Sequence, residues 1–184
     1  MGKVFETIDS ALTDFIKQQK MFFVATSPLS PDGLVNLSPK GMDTFRVIDP
    51  RNVAYLDLTG SGIETIAHLK ENKRITFMFC AFDGPPRILR LYGQGEVIEP
   101  DHPEFSSLRA LFGEHLGVRA IIRAELHRIA NSCGYAVPVY EFVAERDTLT
   151  KYAQNKGEQG LCEYRKLKNA KSLDGLPGLD SDEN

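Results

Sequence analysis

Residues 34–79 read LVNLSPKGMDTFRVIDPRNVAYLDLTGSGIETIAHLKENKRITFMF, and the fold is decided there. Residues 34–40 alternate: Asn36, Ser38 and Lys40 fall on one face of an extended strand, Val35 and Leu37 on the other. Residues 44–48, 53–58 and 74–82 are further runs rich in Val, Ile, Phe, Tyr and Thr, set apart by Asp-Pro-Arg-Asn and by a Gly-bearing break. Between the last two, Ser61 and Glu64 have the S-x-x-E spacing of a capping box. Ile63, Ile66, Ala67 and Leu69 then form the apolar stripe of a helix over residues 61–72.

Upstream, residues 21–26 form a short apolar run and Pro31-Asp32-Gly33 supplies turn chemistry, so a hairpin leads into the decisive stretch. Before it, Val4, Phe5, Ile8, Ala11, Leu12, Phe15 and Ile16 follow helical spacing, predicting a docking helix over residues 4–16. Downstream, residues 87–98 and 119–130 add two strands, and residues 101–115 suggest a helix with Asp101 as N-cap and Pro103 in its first turn. Residues 141–168 allow one or two helices broken at Gly157 and Gly160. The expectation is a mainly β domain of six or seven strands, a barrel or sandwich with flanking helices, over residues 1–170, with a flexible tail over residues 171–184.

The chain has 184 residues, 42% of them hydrophobic, enough for one domain with its own core. Its net charge of −3 and pI near 5.8 lack the basic footprint of a nucleic-acid binder or of a polybasic membrane-surface protein. No apolar run approaches the roughly 18 residues of a membrane span. The three cysteines, Cys80, Cys133 and Cys162, are far apart and form no CxxC pair, so they read as free thiols in a reducing, cytoplasmic setting.

Three segments could carry chemistry. The Asn36, Ser38, Lys40 row suits a phosphate or another anion, because hydroxyl and ammonium both donate to its oxygens; a plain solvated strand face has the same pattern. Thr59-Gly60-Ser61-Gly62 precedes a helix, whose free N–H groups favour anions, although Glu64 could simply serve the cap. Arg87 and Arg90 lie among apolar residues and need partners, either a ligand or an acidic side chain. His68, His102, His115 and His127 show no metal-binding spacing, His68 and His102 being placed on or beside surface helices. No side chain stands out as nucleophile, general acid or general base. Hard chemistry would have to come from a bound cofactor.

The stretch quoted above, followed by PPRILRLYGQGEVI at residues 85–98, resembles the pyridoxamine 5′-phosphate oxidase-like family of flavin-binding split barrels. SCGYAVPVYEF at residues 132–142 and ERDTLTKYA at residues 145–153 look like one of its subgroups. The resemblance implies an FMN-binding split β-barrel that forms a homodimer, with FMN shared at the subunit interface, and an oxidoreductase acting on a small molecule. A non-enzymatic flavin-binding or sensing protein, or a haem- or deazaflavin-binding relative, is the alternative. Carried over by position, Lys40 would contact the flavin or its phosphate beside Ser38 and Gly41. Thr59, Ser61, Gly62 and Thr65 would hold the phosphate, and Arg87 or Arg90 would approach the flavin from the partner subunit. The vitamin B6 oxidases carry an Arg several residues before the strand Lys, where this chain has Leu34-Val35-Asn36. Their C-terminal substrate-holding Arg and His also have no counterpart in LDGLPG at residues 173–178. These departures count against pyridoxamine phosphate and leave the substrate an unidentified small molecule.

Overall fold

The structure, a computed structural model, describes residues 2–179. The strands are β1 (Val4–Phe5), β2 (Phe22–Thr26), β3 (Asn36–Lys40), β4 (Phe45–Val47), β5 (Asn52–Leu58), β6 (Arg74–Cys80), β7 (Ile88–Ile98) and β8 (Val118–Ser132). The helices are α1 (Ser10–Gln18), α2 (Glu64–Asn72), α3 (Phe105–Arg109) and α4 (Thr148–Lys168). All strand pairs are antiparallel in the order β3-β2-β6-β7-β8-β5-β4, with the two-residue β1 added on β8. The seven longer strands are those read from the sequence.

The sheet curls because some strands must cover two cores. On β5, Val53 and Tyr55 belong to the main core, whereas Ala54 and Leu56 face a second cluster with Ile98, Leu108, Phe112 and Ile121. A strand buried on both faces loses the apolar–polar alternation of a one-sided sheet, as its sequence VAYL shows. The main core is knitted by aromatic rings. Phe22, Phe45, Tyr55, Phe77 and Phe79 meet at centroid distances of 5.0 to 6.0 Å, mostly edge to face. The result is a half-barrel with helices at its rim.

The helices differ from expectation in instructive ways. α1 begins at Ser10, not at residue 4, because the Asp9 carboxylate caps it by accepting the Leu12 N–H at 2.8 Å and Val4–Phe5 pairs with β8. α2 begins at Glu64 with no side-chain cap, and the expected Ser61–Glu64 box does not form; Glu64 Oε1 instead accepts the Leu173 N–H. Residues 101–115 yield only the five-residue α3, Asp101 capping nothing. α4 is broken at Gly157 (φ 63°, ψ 171°) and passes through Gly160 unbroken.

The expected tail is, as far as Leu179, folded back onto the domain. Lys171 bridges Pro177, Leu179 packs on the main core and donates its N–H to the Asn169 carbonyl, and Ser172 is buried. Residues 180–184 lie outside the described residues. Among the described residues no helix is long and apolar enough to cross a membrane.

Candidate functional site

The site is organised by β3, the edge strand. Phe22 pairs with Lys40, Val24 with Ser38 and Thr26 with Asn36. Directly opposed residues share a face, and Phe22 and Val24 are buried in the core. Asn36, Ser38 and Lys40 therefore point into the half-barrel, and Leu37 and Val35 point out, exposed by 63% and 73%.

Two polar clusters meet this inner row. In the first, Asn36 Nδ2 donates to the Thr26 and Thr65 hydroxyls at 3.1 and 3.0 Å, and Ser38 Oγ donates to Asn36 Oδ1 at 2.9 Å. The Thr26 hydroxyl also meets His68 Nδ1 at 3.0 Å. His68, read from sequence as a surface residue, is fully buried on the inner side of α2. Burial holds its pKa below the ordinary value of 6.5, despite the carboxylates of Asp174, Glu64 and Glu71, so the ring is neutral. Among the described residues its buried Nε2 has no hydrogen-bond partner.

In the second cluster Asp57, completely buried, is shared by two cations. Lys40 Nζ reaches Oδ1 at 3.1 Å and Arg119 Nε reaches Oδ2 at 2.8 Å. Burial alone would push the Asp57 pKa up; Lys40 and Arg119 outweigh it and hold the carboxyl below 3.8. Two cations against one carboxylate leave one positive charge in excess. Lys40 is the member open to solvent, its side chain 24% exposed against 4% for Arg119. Asp57 and Arg119 escaped the sequence reading. Their signal was an acid inside the apolar run VAYLDL and an arginine ahead of AII, charges that burial obliges to find partners.

Thr59, Ser61 and Gly62 lie beyond Arg119. Thr59 Oγ1 donates to the Gly117 carbonyl at 2.8 Å and accepts from Arg165 Nη1 at 3.3 Å, so it is buried and committed. Ser61 and Gly62 are exposed at the turn into α2. Thr65 sits in the first cluster. The structure thus groups Ser38 with Thr65, joins Lys40 to the loop through Asp57 and Arg119, and leaves Thr59 turned to the β8 side.

Lys40 and Gly41 also line a cavity of about 720 Å³ between the end of β3, the end of α1, the irregular segment over residues 140–146 and the start of α4. Met21, Met42, Phe82, Tyr140, Phe142 and Tyr152 provide much of its apolar wall. Phe82 and Tyr140 pack at 5.6 Å, and Lys20 Nζ lies 5.6 Å from the Phe142 ring centroid. A Cβ on Gly41 would come within 3.2 Å of the Lys20 carbonyl, so the chain passes closely there. Arg87 and Arg90 do not line the cavity. The Arg87 guanidinium covers the Phe15 ring at 4.7 Å, and Arg90, opposite Met78 and Ala130, donates to Ser132 Oγ at 3.0 Å.

The family model for pyridoxamine 5′-phosphate oxidase matches residues 8–137. The pyridoxamine 5′-phosphate oxidase family protein ustO of Aspergillus flavus is 40% identical over 196 aligned positions, covering 96% of this chain and 78% of that protein. Among solved structures, HupZ of Group A Streptococcus superimposes with a TM-score of 0.55 at 22% identity over 66% of this chain and 91% of its own. A candidate pyridoxamine 5′-phosphate oxidase of Lactobacillus delbrueckii gives 0.52 at 16% identity over 68% and 94%. These two likenesses bear on the fold, and the split barrel expected from the sequence is the architecture found. With the match running through every strand from β2 to β8, the chain belongs to the pyridoxamine 5′-phosphate oxidase family.

Proposed function

We propose that this protein binds FMN and works as a flavin-dependent oxidoreductase on a small molecule other than pyridoxamine phosphate. The observation that carries the reading is the uncompensated positive charge of the Lys40–Asp57–Arg119 cluster, exposed through Lys40 into an apolar cavity. An excess positive charge at the edge of a largely apolar cavity favours an anion, and the apolar wall beside it a flat ring system. The residues fit the cofactor. The cavity is within the roughly 300–1,000 Å³ of ligand sites. The Thr65 hydroxyl, which accepts from Asn36 and keeps its own proton, the Lys40 ammonium and the start of α2 are donors for a phosphate.

FMN, when bound, supplies hydride and single-electron chemistry. This chain's residues hold and exclude. Lys40 neutralises the anion, Asp57 fixes the Lys40 ammonium, and the aromatic wall keeps water from the ring. The same reading extends to self-association. On the outer face of the sheet Leu37, Phe23, Met78 and Tyr92 are exposed or half-buried without a covering helix, and Val35 is bare beside them. That face, with Arg90 on it, suits a second copy of the chain in a homodimer whose flavin touches both protomers.

The test is the absorption spectrum of the purified protein and titration with FMN. A flavin spectrum, or fluorescence quenching with thermal stabilisation of about 2.7 kcal/mol at a hundredfold excess over Kd, is expected. Reduction of the bound flavin by NADH or NADPH and reoxidation by an added acceptor separate an enzyme from a carrier. A Soret band with no flavin uptake would replace this reading by the haem one.

A further inference from the structure

The end of α4 and the loop before α2 make contacts that packing alone does not require. Asn169, immediately after α4, is completely buried. Its Nδ2 donates to the Gly60 carbonyl at 3.0 Å and to the Ser61 carbonyl at 3.4 Å, while its Oδ1 accepts from Arg119 Nη1 at 2.9 Å. Arg119 also donates to the Gly60 carbonyl at 3.2 Å and to the Gly62 carbonyl at 2.7 Å. Three successive carbonyls are therefore gathered on one side by two buried side chains.

A trans peptide is planar, with its C=O and the following N–H pointing in opposite directions. Holding the carbonyls of Gly60, Ser61 and Gly62 toward Arg119 and Asn169 turns the N–H groups of Ser61, Gly62 and Ile63 away from them. None of these three N–H groups has an acceptor among the described residues. They continue into the uncapped first turn of α2. Successive N–H groups on one side of a bend form an anion-binding concavity.

We infer that Asn169, clamped by Arg119, is a positioning residue that holds the 60–62 loop with its N–H groups displayed for a phosphate. The C-terminal segment is thereby half of the frame of that subsite. The inference rests on the FMN reading for the identity of the ligand, not for the geometry of the loop. Glu64 belongs to the same frame, because its Oε1 is held by Leu173 and its Oε2 lies 2.7 Å from where a Gly62 Cβ would stand. It opposes an anion there, and the C-terminal segment governs its position.

The experiment compares FMN with riboflavin, which lacks the phosphate, on wild type, Asn169→Ala and Asn169→Gln. Binding is read by flavin fluorescence and folding by thermal unfolding. Asn169→Ala is expected to lower FMN affinity about tenfold, the worth of one to two kcal/mol of hydrogen bonding, while riboflavin affinity stays within about twofold. Asn169→Gln, which keeps the amide, should recover part of the loss. An equal loss for both ligands would assign Asn169 a structural role only and overturn the inference. So would an unchanged FMN affinity in a folded Asn169→Ala protein.

A second measurement stands apart from the flavin. Inorganic phosphate added to isotope-labelled wild type should shift the amide resonances of residues 61–63, and Asn169→Ala should suppress the shift. Phosphate shifts without FMN uptake would sink the FMN reading and leave the loop's role standing. FMN uptake with unmoved 61–63 amides would do the reverse.

Discussion

The Lys40–Asp57–Arg119 region and the segment over residues 134–147 make opposite use of one chain. In the first, residues from β3, β5, β8 and the C-terminal segment supply each other's partners, and Asp57 and Asn169 have no exposed surface. In the second, Tyr135, Val139, Tyr140, Phe142 and Val143 are all more than half exposed, and the backbone has neither helix nor strand. The buried Asp57 and Arg119 charges are paired within the protomer because an unpaired buried charge costs several kcal/mol, leaving the excess at the solvent-open Lys40, whereas exposed apolar side chains cost little until a second body covers them. The difference teaches where folding ends and binding begins: the buried Asp57–Arg119 pair should respond to mutation in stability, the exposed segment in assembly and ligand uptake.

Asp57→Ala is the severest test of that division. It leaves Lys40 and Arg119 without their carboxylate, and a loss of about 3–5 kcal/mol is expected in urea unfolding. A loss under about 1 kcal/mol would show that the cluster is not a folding element. Lys40→Ala should act mostly on the ligand, lowering FMN affinity roughly ten- to a hundredfold, the ~1.5–3 kcal/mol of a charged hydrogen bond, while Lys17→Ala on α1 has no effect. Phe142→Asp, on the exposed side, should leave urea unfolding of the monomer within about 0.5 kcal/mol. It should weaken FMN uptake or self-association, read by sedimentation at several protein concentrations. If it destabilised the fold as Asp57→Ala does, the comparison would break.

Acid sharpens the same contrast. Asp57 has a folded pKa below 3.8, so its contribution is complete above that value and is lost as pH falls through the lower, folded one. His68 is also depressed, from 6.5, because burial disfavours the imidazolium. Its contribution is complete above 6.5 and declines as pH falls toward its folded pKa. Stability should thus fall in two stages, and His68→Asn should remove the first while leaving the second. The smallest effect is expected from Glu64→Gln, which removes a carboxylate beside the 61–63 N–H groups; FMN should bind about two- to fivefold more tightly.

How much of this could be read from the sequence follows from the range of the interactions. β3 was legible because it alternates locally, which also put Asn36, Ser38 and Lys40 on one face, and β2, β6 and β7 were legible as short runs rich in apolar, β-branched and aromatic residues. Which face lies inside was not legible. On β3 the polar face is the inner one, since Thr26 on the neighbouring strand, Thr65 on α2 and Asp57 on β5 are its partners there. Asp57 and Arg119 are 62 positions apart, Arg119 and Asn169 another 50. No local pattern links them, only the rule that a buried charge has a partner. α3 is short because the chain turns at residues 110–112 and runs irregularly through Gly113, whose carbonyl accepts from Arg109 at 2.8 Å.

The break at Gly157 has a mechanical meaning. Its dihedral angles lie in a region that only glycine enters freely. A continuous helix of 21 residues would be a rod of about 31 Å with a single fixed phase. The break uncouples that phase, so Thr148, Leu149 and Tyr152 on the first half address the large cavity, and Arg165 on the second, with Asn169 just beyond, addresses Thr59 and the loop. One glycine thus lets the two stiff halves of a single helix take independent headings, one serving the cavity and the other the loop before α2.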